Sequence, residues 1–349
     1  MIGKRDRGRY GPVAIAHPRI PPPVKSLLAA MKDGREYESI VGLTQQGLDL
    51  VPELRCAIAE IEAIRGRKCV CYLANVVQAS ADMTAIAASD HLPFTEMVEA
   101  VPKDCEDVDV LLATPGGSAD QVAHFVAALR RRFKTVEFLI PYKAMSAGTL
   151  WALSGDEIWM NAGAFLGPID PQIQTRDGRW VPAQALLSLL EKIQIEGGKA
   201  IASGHEPLWT HLQIVNAMDY HQLGNATDAS DYNIKMAAEF LNKYKFKTWA
   251  KHSSNGASVT PQEREERAAD CARMLCSHDR WKLHSHAITR EVIEADLRIQ
   301  IRRPESVTGL ERAIRRMWAL SCYVFERTPT AKLIISSDYS FVRNIQSSV

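Results

Sequence analysis

Apolar and polar positions divide this chain into two styles. Leu48, Val51, Leu54, Ile58, Ile61 and Ile64 recur at helical spacing between residues 46 and 66, and Gly66 stops that helix. Apolar runs of strand length follow at Cys69 to Val77, Asp107 to Ala113, Thr135 to Pro141 and, shorter, Glu157 to Met160. Continuous apolar runs are the mark of strands buried on both faces. Between the second and third runs, residues 119–133 read as an amphipathic helix ending in Arg130-Arg131-Arg132. Cations at a helix C-terminus favour the dipole, so this run needs no nucleic acid to explain it. Strand–helix alternation predicts an α/β core. Beyond residue 180 the pattern changes, and residues 183–202, 229–249, 262–276, 287–296 and 309–325 all read as helices. Thr330 to Ser336 reads as a last strand.

The predicted organisation is an arm over 1–45, an α/β core over 46–205 and a mostly helical region over 206–349. Residues 1–25 are rich in Pro, Gly and Arg, and Pro21-Pro22-Pro23 fixes an extended segment. That segment reads as a mobile arm or as a strap against a neighbouring subunit. The helical region is expected to serve oligomerisation and to complete the site.

Composition narrows the classes. With 349 residues, 46% hydrophobic and 24% charged, the chain is neither disordered nor fibrous. Its net charge of +1, from 42 basic and 41 acidic residues, gives no global excess to hold a nucleic-acid backbone. No window offers the ~20 apolar residues of a membrane span. The basic start, Met1 to Arg9, leads into prolines rather than an apolar segment, so no secretory signal is expected and the protein is read as cytoplasmic. Seven cysteines, an odd number mostly in apolar runs, read as reduced, buried thiols. In a strand, Cys69 and Cys71 point to one face, but no second pair stands at zinc spacing, so neither a metal nor a cofactor is expected.

Candidate chemistry sits in the turns that follow the strands. Thr114-Pro115-Gly116-Gly117-Ser118 joins a strand to a helix, and its paired glycines permit positive φ and close backbone approach. Their amides beside a helix N-terminus suit an oxyanion, although a tight turn without a ligand would look the same. The pattern is neither GxGxxG nor a P-loop. After the third strand comes Ala144-Met145-Ser146-Ala147-Gly148-Thr149. Ser146 reads either as an N-cap or as a nucleophile, with Ala147 and Gly148 leaving room for a substrate carbonyl and the Ala147 and Gly117 amides as oxyanion donors. Leu166-Gly167-Pro168-Ile169-Asp170-Pro171-Gln172 brackets a carboxylate between prolines, where it caps a turn or orients a base.

These motifs, in this order and with Asp156-Glu157-Ile158-Trp159-Met160 between the last two, resemble the serine dehydrogenase proteinase family. Its members are serine peptidase-like proteins related to signal peptide peptidase A. The resemblance implies the Clp protease/crotonase fold, an α/β spiral of ββα turns, here followed by a mostly helical C-terminal region. It covers about residues 68–172 and extends weakly through Trp281-Lys282-Leu283-His284-Ser285-His286-Ala287-Ile288 and Leu297-Arg298-Ile299. It places Ser146 at the nucleophile position and Gly116, Gly117 and Ala147 at the oxyanion hole. The base departs from the family's patterns. Asp170 stands where Clp-type peptidases carry a histidine, and Val181-Pro182-Ala183-Gln184 lacks the lysine of signal-peptide-peptidase-like enzymes. His284 oriented by Asp170 is the leading candidate. His286, Lys192, Lys199, Lys243 and Lys245 are the others. Trp281 and Trp318 read as core or interface aromatics.

The implied activity is peptide-bond hydrolysis through an acyl-enzyme on Ser146, acting on an extended peptide added beside a strand. A homo-oligomer is implied as well. With no ATPase motif in the chain, unfolding of substrate would fall to a separate ATPase or regulatory partner. Two other classes stay open: a peptide-binding or assembly protein on the same fold with its base lost, and acyl-CoA chemistry.

Overall fold

A computed structural model describes residues 26–43, 49–77, 81–175, 178–252 and 256–345. Residues 1–25, read above as an arm or strap, lie outside the described residues. The strands in chain order are β1 (Lys68–Ala74), β2 (Asp107–Ala113), β3 (Thr135–Ile140), β4 (Lys143–Ala144), β5 (Glu157–Met160), β6 (Phe165–Leu166), β7 (Gln172–Gln174), β8 (Trp180–Pro182), β9 (Ile288–Thr289), β10 (Thr330–Ser336) and β11 (Ser340–Asn344).

A six-stranded sheet runs in the order β11-β10-β1-β2-β3-β5. Its four strands β1, β2, β3 and β5 are parallel, and β10 joins β1 antiparallel. Past its first residue each of β1, β2 and β3 is buried throughout, as their apolar runs predict. Side chains alternate between two cores. Val70 and Tyr72 face a layer that includes Phe125, Trp151, Met236 and Leu275. Cys69, Cys71 and Leu73 face the other, with Ile58, Ile61, Ile314 and Leu320. Both thiols are free and on one face, as the strand period requires. The protein is thus an α/β core with a mostly helical C-terminal region.

Two expected boundaries do not hold in the sheet. A division at 205/206 would part β1 from β10, whose register runs from Val70 opposite Ser336 to Ala74 opposite Lys332. The amphipathic helix Leu310–Arg327 lies on the same face as Leu50–Arg65, where Arg316 reaches Glu60 at 2.9 Å. Residues 206–349 are therefore not a separate region. The described part of the expected arm is core as well. Leu27, Leu28, Met31 and Ile40 are buried, and Glu53 accepts from the Ser26 hydroxyl and the Leu28 N–H at 3.1 and 2.9 Å.

A second, three-stranded sheet has the order β4-β6-β9. β4 runs parallel to β6, and β9 antiparallel to it, with Ala144 opposite Leu166 and Leu166 opposite Ile288. The chain after β4, the chain after β6 and the chain before β9 therefore leave by one end.

Candidate active site

The glycine turn begins where β2 ends. The Ser118 hydroxyl caps helix Ala119–Arg132 by accepting from Gln121 N–H at 3.1 Å. Gly116 and Gly117 stand at φ of 105° and 139°. A Cβ on Gly116 would lie 2.8 Å from both the Met145 carbonyl oxygen and Ser146 Cβ, so the turn is pressed against the serine turn. A Cβ on Gly117 would lie 2.4 Å from the nitrogen and the oxygen of Ile86. Ile86 N–H donates to Gly116 O at 2.7 Å, and Ser118 N–H donates to Ile86 O at 2.9 Å. These two positions need glycine for close approach, not only for a turn.

The amides of this corner differ in availability. Gly116 N–H donates to Thr114 Oγ1 at 3.2 Å. The expectation that it serves as an oxyanion donor is corrected accordingly: its hydrogen is engaged, and Gly116 supplies room. Among the described residues the Gly117 and Ala147 N–H groups have no acceptor. The first is fixed by the Ile86 bridge, and the second opens helix Ala147–Leu153.

Ser146 has φ 50° and ψ −117°, a backbone conformation that residues other than glycine rarely adopt. Its side chain makes no capping bond, so the N-cap reading does not describe it. Its carbonyl accepts from Thr149 and Leu150 N–H at 2.9 and 3.2 Å, which holds the turn while the half-buried hydroxyl stays uncommitted. Thr114 N–H to Lys143 O and Met145 N–H to Thr114 O, both 3.0 Å, stitch the serine strand to the glycine turn.

The small sheet carries the other two groups to the same end. Asp170 follows β6, and His284 precedes β9. His284 Nδ1 and Asp170 Oδ1 are 2.9 Å apart across 114 residues of sequence. The Asp170 side chain is 3% exposed and that of His284 20%, so the carboxylate is the buried anchor and the imidazole the accessible member. The Asp170 loop is held by backbone and side chain together. Ile169 N–H donates to Leu275 O at 3.0 Å, and Asn233 Nδ2 donates to Ile169 O at 2.8 Å. Thr149 Oγ1 lies 2.8 Å from Ala144 O and accepts from Gly167 N–H at 3.0 Å, tying the serine helix to that loop. Among the described residues Ser146 Oγ has no hydrogen-bond partner, and His284 bonds to Asp170 rather than to it.

The rival bases stand elsewhere. His286 is exposed and tilted against Trp281, with ring centroids 5.3 Å apart. Lys192 and Lys199 project from the exposed face of helix Ala183–Ala202, Lys192 beside Glu196. Lys243 lies over the Tyr244 ring. Lys245 is buried, which lowers its pKa against the pull of Glu157, but it pairs with Glu157 at 2.5 Å where β5 begins, at the opposite end of the parallel strands. Trp281 is 5% exposed and donates to Met274 O at 2.7 Å, so it is a core aromatic. Around the site, burial pushes the Cys276 thiol up to about 12, with the Asp170 and Asp231 charges adding to it. Burial also lowers the Lys143 ammonium. Among the described residues no group of His, Cys, Asp and Glu could hold a metal ion. The sequence reading missed Thr149, whose signal was a threonine in an otherwise small and apolar helix start. It also missed Ile86, which acts through its backbone and leaves no signal.

Comparison with known proteins gives partial matches. Residues 84–200 match the family model described as ClpP-like SDH-type serine proteinase. Two uncharacterized proteins of Methanocaldococcus jannaschii are similar. MJ0137 is 34% identical over 107 residues, 31% of this chain and 35% of that protein. MJ1495 is 33% identical over 128 residues, 36% of this chain and 43% of that protein. The chain thus spans under half the length of the curated relatives it matches. Among solved structures, two mutants of the 1510-N membrane-bound stomatin-specific protease align, one of them in complex with a substrate peptide. They are 21% and 22% identical, cover 52% of this chain and 71% and 67% of their own, and give a TM-score of 0.25 each. No described helix of this chain is long and apolar enough to cross a membrane.

Proposed function

We propose that the protein is a serine peptidase that forms an acyl-enzyme on Ser146. What supports this reading is the strand topology: a strained uncommitted serine and a His284–Asp170 pair lie on segments leaving the same end of the small sheet, and the serine turn has two free backbone donors. In the proposed mechanism Asp170 fixes the imidazole through Nδ1, leaving Nε2 to take the proton of Ser146 as Oγ attacks the scissile carbonyl. The Gly117 and Ala147 amides then stabilise the oxyanion, and His284 returns the proton to the leaving amine. The substrate is an extended peptide, the working form a homo-oligomer, and the compartment the cytoplasm.

The uncommitted Ser146 hydroxyl also favours a second reading, a peptide-binding protein on a peptidase fold. Acyl-CoA chemistry has less support, since it gives no role to the nucleophile turn. Hydrolysis of a fluorogenic peptide library separates them. The account predicts cleavage by the wild-type chain that is lost in Ser146→Ala. Equal turnover by both proteins, or none by a well-folded wild type, would overturn it.

A further inference from the structure

The Ile86 bridge raises the question of what holds Ile86. Its neighbour Ala85 offers its carbonyl to Lys332 Nζ at 2.6 Å, and the same ammonium pairs with Asp90 Oδ2 at 2.7 Å. Lys332 is 2% exposed and Asp90 fully buried. Asp90 Oδ2 also accepts from the Tyr72 hydroxyl at 2.8 Å and from Ala87 N–H at 3.1 Å. Arg343 approaches Asp90 Oδ1 at 3.3 Å and donates to Ser89 O at 2.8 Å. The chain from 85 to 90 is thus gripped by a cation on β10, and its Ile86 grips Gly116 and Ser118 in turn. β10 runs antiparallel to β1, and Lys332 stands opposite Ala74, at the end of the sheet where the glycine turn lies.

A buried lysine is an expensive way to hold a fold. An ion pair out of water is often matched or bettered by apolar residues of the same volume. Stability alone would be served by an apolar pair, methionine at 332 with an apolar residue at 90. A lysine does what methionine does not: it gives the Ala85 carbonyl a fixed donor, and so sets where Ile86 stands.

We propose that Lys332 is a positioning residue that, through Ala85 and Ile86, aims the Gly117 amide at the oxyanion of the reaction on Ser146. The inference rests on the serine peptidase reading for its catalytic meaning, and on the Ile86 bridge for its mechanics. It places a determinant of the site in the last strand pair, outside the segment 84–200 that matches the family model.

The test compares two buried lysines at opposite ends of the sheet. Lys332→Met and Lys245→Met each remove a cation from a carboxylate, but only the first touches the glycine turn. Reaction with a fluorophosphonate reads the oxyanion hole through its maximal inactivation rate, kept apart from probe affinity. Losing an oxyanion donor costs about 10²–10³ in rate, so misaiming one should slow inactivation about tenfold to hundredfold in Lys332→Met with affinity little changed. Lys245→Met should lower the melting temperature and leave the rate of the folded protein as in wild type. Lys332→Gln, a shorter neutral residue that keeps an N–H donor, should fall between and serves if the methionine variant does not fold. Amide exchange supplies a readout free of activity: in both Lys332 variants the Ile86 and Ser118 amides should exchange faster than in wild type. Unchanged inactivation and unchanged exchange in a folded Lys332 variant would overturn the proposal and leave a core ion pair. An unlabelled wild type would instead overturn the peptidase reading, and the exchange rates would still decide whether Lys332 holds the turn.

Discussion

The two ends of the parallel strands are built from different materials. Where β2, β3 and β5 begin, charges interlock. Arg65 donates to both Asp109 oxygens at 2.7 and 3.1 Å and to Glu137 at 2.7 Å. Arg67 and the Trp159 indole N–H meet Glu137 at 2.9 and 2.7 Å. Arg130 and Lys247 share Asp156, and Lys245 and Arg302 share Glu157. Where β2 and β3 end, backbone geometry replaces charge. Paired glycines, a serine at positive φ and unpaired amides stand there, and the Lys332–Asp90 ion pair and the His284–Asp170 hydrogen bond brace loops. One end pairs its charges and stabilises the fold. The other leaves donors free and backbone strained, a state that persists only when the surroundings impose it.

The sharpest break of this comparison is Ser146→Ala. It should abolish covalent labelling, a loss of about 10⁴-fold or more, while the melting temperature holds or rises. Asp170→Asn should come next. The imidazole loses its fixed tautomer, and turnover should drop by about 10³–10⁴-fold with the fold intact by circular dichroism. A merely stabilising Asp170 would instead show up as a lowered melting temperature with normal turnover. Arg65→Ala attacks the other end. It leaves the fully buried Asp109 with Arg67 alone, at 3.8 Å, and should cost up to about 3–5 kcal/mol in chemical denaturation without changing the rate of the protein that remains folded. A pH series has a smaller reach. Burial alone would raise Asp156 and Glu157. Lys247, the Val136 N–H and Arg130 outweigh it at Asp156, and Arg302 and Lys245 outweigh it at Glu157, so both carboxyls titrate below their usual range. Their contribution is present above about pH 4 and lost as pH falls through the lowered values. Asp156→Asn should therefore flatten the fall of the denaturation midpoint between about pH 5 and about pH 2. Last, Arg35→Ala removes an exposed pair with Glu38 and should leave melting temperature and turnover unchanged.

Much of this division was legible in the sequence. Apolar runs gave β2, β5 and β10 to the residue and β3 within one, while β1 ends at Ala74, three residues short of the run to Val77; the polar positions inside them, Asp109, Glu137 and Lys332, are too few to break the pattern. The glycine pair and the Ser-Ala-Gly turn were legible because close backbone approach restricts residue type. The juxtaposition of His284 with Asp170 was visible only through family resemblance, since no local pattern links positions 114 apart. What stayed hidden works through backbone or through returns of the chain. Ile86 contributes an N–H and a carbonyl that any residue has. β11 is five residues long and half-exposed, so its alternation is too short to stand out. Gly116 was assigned a donor role by motif, and the Thr114 hydroxyl that occupies its amide lies two residues away in the same motif, where its effect depends on a rotamer.

The central claim is that Ser146 is an activated nucleophile driven by His284. Peptide mapping by mass spectrometry after reaction with a fluorophosphonate tests it most directly, on wild type and on His284→Ala. The account predicts a single adduct on Ser146 in the wild type, formed at least 10²-fold more slowly without the imidazole. An adduct elsewhere, no adduct on a well-folded wild type, or equal rates in the two proteins would contradict it.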